Sequence, residues 1–151
     1  MKRWTLLAIF VVLVLGGGWA IGFVARPDAW YAALTKPSFN PPNFVFAPVW
    51  TLLYVLIAIA GWRTFLRARR GAAMALWAAA LILNFAWSPT FFGAHNLAAA
   101  LAIILALLAA ILGFIGQSWK PDRAAALLFV PYAAWVAFAS LLNAAIWHLN
   151  G

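Results

Sequence analysis

Three short patterns hold the side chains able to meet a ligand. Trp50 and Tyr54 stand four apart, Asn84, Trp87, Ser88 and Phe91 follow at i, i+3, i+4 and i+7, and Trp135, Ala139 and Asn143 follow at successive steps of four. On a helix each set shares one face. These faces pair aromatic surface with a few neutral hydrogen-bonding groups, which suits a pocket for a flat, largely apolar ligand. The two asparagines serve equally well as hydrogen-bonding glue between helices, and the spacing leaves both roles open. Groups for conventional catalysis are missing. The acids are Asp28 and Asp122, the histidines are His95 and His148, all four near expected helix ends, and cysteine is absent. No carboxylate pair, Ser-His-Asp set, zinc motif or phosphate-binding glycine loop is present, so neither acid–base nor nucleophilic catalysis nor a bound metal is expected.

The elements that must position these residues follow from composition. Of 151 residues 68% are hydrophobic and 8% charged, with a mean hydropathy of +1.00. A water-soluble domain carries roughly 25% charged residues, so the solvent of this chain is lipid. Charges and histidines divide it into uncharged stretches 4–25, 37–62, 71–94, 96–119 and 124–147. Each reaches the roughly 20 residues needed to span a bilayer, and none alternates with period two, so helices rather than a barrel are expected. The expected fold is an all-α integral membrane bundle, one domain over 1–151, with five transmembrane helices near 5–25, 44–62, 72–92, 97–117 and 125–147. The first stretch is too long for the apolar part of a signal peptide, and four more spans follow it.

Net charge is +8. With five spans, eight of the ten basic residues fall on the side of the N-terminus and the second and fourth loops. The positive-inside rule makes that side cytoplasmic, puts the first loop and C-terminus outside, and removes the case for nucleic-acid binding. The partner implied is the bilayer, with Arg63, Arg67, Arg69 and Arg70 near anionic headgroups.

The first loop, 26–43, is the anomaly. In the longer stretch from Trp30 to Tyr54, which runs past the loop's end, four prolines, Pro37, Pro41, Pro42 and Pro48, fall within twelve residues, excluding a long helix or a central strand. The loop's length and its aromatics Trp30, Tyr31 and Phe39 fit a lid over a cavity, while Trp and Tyr also anchor chains at membrane interfaces. In the first span Gly18 and Gly22 form a GxxxG pair, suited to packing inside the bundle or to dimerisation. Ala75 and Ala79 form a similar small-residue pair on the third span, whose second half contains Pro89. The carbonyl that Pro89 frees is expected to be met by Ser88 or a water. The fourth span is almost purely Ala, Leu and Ile and reads as structural.

The segments WYxxLxKPxFxPPxxVFxPVWTxLY, NFxWxPxFFG and PYxxWxxFAxxLN, in this order, closely resemble the TspO/translocator protein family, the tryptophan-rich sensory proteins and peripheral benzodiazepine receptors. The resemblance covers essentially the whole chain. It implies a five-helix bundle, commonly a homodimer through small-residue faces, with the first loop covering a ligand pocket. It further implies binding of porphyrins (protoporphyrin IX, haem) as ligands rather than required cofactors, and a role in tetrapyrrole regulation or stress response. Light-dependent porphyrin degradation and tetrapyrrole or sterol transport are the alternatives. By motif, Trp50 and Trp135 correspond to the family's pocket tryptophans, Asn84 to its asparagine, Ala139 to its alanine, and Tyr31 and Pro41 to the lid. Tyr132 is followed by no basic residue, so the cholesterol-recognition pattern of mitochondrial members is absent.

Overall fold

A computed structural model of the chain describes residues 2–151. Five helices long and apolar enough to cross a membrane follow one another: Arg3–Val24, Asn43–Ala68, Ala72–Gly93, Leu97–Ser118 and Arg123–Asn150. The described residues contain no strand. The chain is therefore an all-helical, multi-pass bundle, as its hydropathy requires, because a backbone in lipid must satisfy its own hydrogen bonds.

Helix ends depart from the uncharged stretches for physical reasons. The second helix continues past Trp62 through Arg63 and Arg67 to Ala68, since a charge limits what lies in hydrocarbon but does not stop a helix. The third ends in a widened turn over Pro89–Gly93, closed by the Ala94 N–H donating to the Pro89 carbonyl at 2.8 Å. The Thr90 hydroxyl donates to the Ala86 carbonyl at 2.8 Å, next to the Phe85 carbonyl that Pro89, lacking an N–H, leaves without its usual partner. The fifth is interrupted at Phe129, two residues before Pro131, which has no N–H to continue the ladder.

The first loop is also more regular than its prolines suggest. Asp28 caps a short helix, Ala29–Ala33, by accepting the Tyr31 N–H at 3.1 Å. Only from Leu34 does the chain become extended, ahead of the Lys36-Pro37 step.

Close approaches between helices depend on glycine. A Cβ on Gly61 would lie 2.3 Å from the Trp77 ring, whose indole N–H donates to the Ile57 carbonyl at 2.9 Å. A Cβ on Gly18 would lie 2.3 Å from the Tyr54 ring, whereas one on Gly22 would meet nothing within 4 Å. Within this chain the GxxxG pair is thus divided: Gly18 packs inside the bundle and Gly22 borders open space.

At the end of the bundle opposite the first loop, Arg63 joins the second helix to the fourth loop. Its guanidinium donates to both Asp122 oxygens, at 2.9 and 3.0 Å. The Arg63 guanidinium holds the Asp122 carboxyl below the usual carboxylate range. A lowered carboxylate pKa stabilises the fold above the unfolded value, near 3.9, and that contribution is lost as pH falls through the folded value. Asp122 is 10% exposed and Arg63 41%, so the pair is only partly shielded. Arg63→Gln should cost about 1 kcal/mol at pH 7. Thermal unfolding in detergent should show the deficit shrinking as pH drops below about 4; an unchanged deficit at pH 3 would assign it to packing.

Candidate functional site

Toward the first-loop end, the helices enclose a cavity of about 450 Å³. This lies within the roughly 300–1,000 Å³ typical of small-molecule sites. Trp50 and Tyr54 reach it from the second helix, Asn84, Trp87, Ser88 and Phe91 from the third, and Trp135, Ala139 and Asn143 from the fifth. Tyr31 reaches it from the loop. The three faces read from spacing therefore converge on one chamber. Pro41 does not line it; its neighbours Asn40 and Asn43 do. Pro41 fixes the path of the loop between these two contacts.

Both asparagines prove to be wall and glue at once. The Asn84 Nδ2 donates to the Tyr132 oxygen at 2.6 Å and its Oδ1 accepts the Tyr54 hydroxyl at 3.4 Å, tying the second, third and fifth helices. Asn143 accepts the Trp87 indole N–H at 3.0 Å and donates to the Leu97 carbonyl at 3.0 Å, tying the third, fourth and fifth. Asn84 is 6% and Asn143 1% exposed, so these amides depend on each other's helices rather than on water.

The aromatic wall has a defined geometry. Trp50 and Trp135 lie 6.4 Å apart at 87°, and Trp50 lies 5.6 Å from Tyr54. A flat ligand stacked on one tryptophan therefore meets the edge of the other, an edge-to-face arrangement favoured by ring quadrupoles. The Trp135 indole N–H is buried without a hydrogen-bond partner, as is the Asn40 Oδ1. Neither atom has accessible surface, so neither faces the open cavity. Among the described residues, no charged side chain lines the cavity.

The first loop closes the chamber's end. Tyr31 packs on Phe91 and Phe92 at 6.1 and 5.3 Å, and Phe39 on Phe138 at 6.2 Å. Trp30 stacks on His95 at 4.1 Å and 10°, and His95 adopts φ 54°, a left-handed conformation uncommon outside glycine. His95 Nε2 also lies 3.5 Å from Asp28, whose carboxyl is held below its usual range chiefly by the Tyr31 N–H it accepts. Burial pushes the Tyr31 phenol up, with Asn40 offsetting part of the rise. Thr35 and Asn150 exchange two hydrogen bonds, at 2.9 and 2.8 Å, between loop and fifth helix. The basic side chains here do not line the cavity: Lys36 donates to the Ala32 and Leu34 carbonyls and sits 4.5 Å over the Tyr31 ring, and Arg26 lies over Phe23.

Sequence reasoning missed residues in and behind the wall. Tyr132, fully buried behind the wall rather than lining it, completes the Asn84 tie; it stands three residues before Trp135 on the same helical face, a spacing signal that was there to use. Ile104 and Leu107 line the cavity from the helix read as purely structural. Their three-residue separation is a usable signal, but in an Ala/Leu/Ile run every face carries one. Replacing Asn143 by Ala should leave the Trp87 N–H unpaired and cost about 2 kcal/mol. Thermal unfolding in detergent checks this; a change under about 0.5 kcal/mol would mean that Asn143 ties nothing.

Comparison with known proteins agrees with this architecture. The profile of the TspO/MBR family matches residues 10–148. A tryptophan-rich sensory protein of Cereibacter sphaeroides is 36% identical over 147 residues, covering 97% of this chain and 92% of the relative. The tryptophan-rich protein TspO of Archaeoglobus fulgidus is 40% identical over 147 residues, covering 95% and 94%. The translocator protein of Homo sapiens is 35% identical over 126 residues, covering 80% and 75%. A family match spanning nearly the whole chain, on five helices whose quoted motifs converge on one cavity, makes this protein a member of the TspO/MBR family.

Proposed function

We propose that the chain is a membrane-embedded binding and sensory protein for porphyrins, protoporphyrin IX or haem, and related flat apolar ligands, acting in tetrapyrrole regulation or stress response. The observation that carries this reading is the crossed pair Trp50 and Trp135 in an uncharged chamber of about 450 Å³. A macrocycle needs stacking surface more than ion pairs, and relatives named sensory and translocator proteins fit a ligand-responsive role. The Ser88 hydroxyl, on a residue of the cavity wall, offers a polar contact to a ligand.

A second reading, light-dependent porphyrin degradation, is favoured by the same tryptophan pair. An excited porphyrin held against Trp50 or Trp135 takes an electron from the indole and passes it to dioxygen, and the reactive oxygen so formed oxidises the macrocycle, so the reaction needs light and dioxygen but no acid–base residue. Facilitated passage of tetrapyrroles or sterols is a third. It is compatible with the uncharged wall but favoured by no further observation. The basic residues Lys2, Arg3, Arg63, Arg67, Arg69, Arg70, Lys120 and Arg123 make their end the cytoplasmic one, leaving the first loop outside. Self-association into a homodimer would use the third helix, where Ala75 is exposed and Ala79 half-buried.

A dark titration with protoporphyrin IX followed by illumination tests the assignment. Saturable quenching of Trp emission, weakened about tenfold in affinity by the Trp50→Phe/Trp135→Phe variant, is the expected result for a stacked ligand. Bleaching under light that disappears in this variant would select the degrading activity. Non-saturable partitioning, the same in both proteins, would remove porphyrin from consideration.

A further inference from the structure

The cavity has one side that the helices do not close. Of its lining residues, six are exposed: Trp19, Gly22, Phe23, Pro27, Asn43 and Ala47. All six belong to the end of the first helix, its exit, or the start of the second. Every other lining residue is buried or half-buried. The exposed ones are not marginal, since Trp19 is 58% and Phe23 71% accessible. Beside Gly22 there is no neighbouring atom within 4 Å of where a Cβ would stand.

The backbone explains the gap. The segment Arg3–Gly16 packs along the second helix, but Gly17–Val24 packs mainly on the third. The change of neighbour follows a widened turn at Val12–Gly16, the sort of irregularity that redirects a helix. Gly18, pressed against Tyr54, is the last tight contact before the two helices part. Across the opening runs a single polar link, the Trp19 indole N–H donating to the Thr51 hydroxyl at 3.2 Å.

We propose that ligand reaches the cavity sideways from the bilayer, through this mouth between the first and second helices, with the Trp19–Thr51 hydrogen bond as the bar across it. The proposal rests on the reading of the cavity as a site for flat apolar ligands. The alternative path, beneath the first loop, requires breaking the Trp30–His95 stack, the Tyr31 and Phe39 ring contacts and the paired Thr35–Asn150 hydrogen bonds. Swinging one indole breaks one hydrogen bond, and that bond is exposed, unlike the buried asparagine ties. The mouth lies toward the end of the bundle, bounded by Pro27 and Asn43 where the first helix has ended and the second begins. A planar amphipath can therefore slide its apolar body inward while its charged edge stays at headgroup level, beside Arg26. Such a molecule is already concentrated in lipid, so a lateral path draws on its membrane pool rather than its aqueous one.

Stopped-flow binding of protoporphyrin IX to protein in phosphatidylcholine vesicles tests the route. Thr51→Val removes the bar without altering a fluorophore, and association and dissociation rates should rise together, about fivefold, by more than any change in their ratio. Gly22→Leu adds a side chain to the empty space of the mouth and should slow both about tenfold. His95→Ala, which loosens only the loop, should leave both at the wild-type values. Rates that rise in His95→Ala and stay unchanged in Thr51→Val and Gly22→Leu would overturn the mouth and put the path under the loop. Absence of saturable binding in the wild type would instead overturn the binding assignment on which the proposal stands.

Discussion

A primary amide buried in hydrocarbon has no water to bond, and this constraint organises the bundle around Asn84 and Asn143. Each finds partners on other helices: Tyr54 and Tyr132 for the first, Trp87 and the Leu97 backbone for the second. Lipid gives little hydrophobic drive for helix association, so packing and hydrogen bonds must fix the relative positions of the helices. Glycine lets them approach where packing is tight, as at Gly61 against Trp77 and Gly18 against Tyr54. The asparagine ties hold them where it is not, beside the cavity. The same two side chains therefore set the spacing of the walls and form part of them.

The chamber that results is shaped by rings rather than by charge. Trp50, Tyr54 and Trp135 stand at angles that offer one face and one edge to a flat molecule. Its closure is uneven. The first loop is pinned at several points, through Trp30 on His95, Phe39 on Phe138 and Thr35 with Asn150, whereas the first helix leaves the second after Gly18 and is bridged by one hydrogen bond. Charged groups are kept to the ends of the bundle, where Arg63 and Asp122 secure the opposite loop.

Much of this was legible in the sequence because lipid imposes strict rules. Uncharged runs of more than 20 residues marked the five helices, and i, i+4 spacing marked the faces carrying Trp50, Asn84 and Trp135. What escaped was whatever depends on how faces meet. Tyr132 shares the Trp135 face at i, i+3, but that it meets Asn84 is set by how the third and fifth helices pack. Ile104 and Leu107 lie on a helix whose apolar composition is nearly uniform, so no face stands out. Asn40 and Asn43, rather than Pro41, reach the cavity because prolines steer the loop while their neighbours carry the polar atoms. The GxxxG motif was ambiguous for a similar reason: its first glycine meets a ring from another helix, and its second meets none.

The central claim is that the Asn84 tie holds the cavity walls in register, and a double-mutant cycle tests it most directly. Unfolding in detergent would be measured for the wild type, Asn84→Ala, Tyr132→Phe and the double variant. The account predicts a coupling of about 1–2 kcal/mol, because each single change orphans a group that the double change removes. Effects that add to within about 0.3 kcal/mol would show that the two side chains are merely neighbours, and the cavity would need another support.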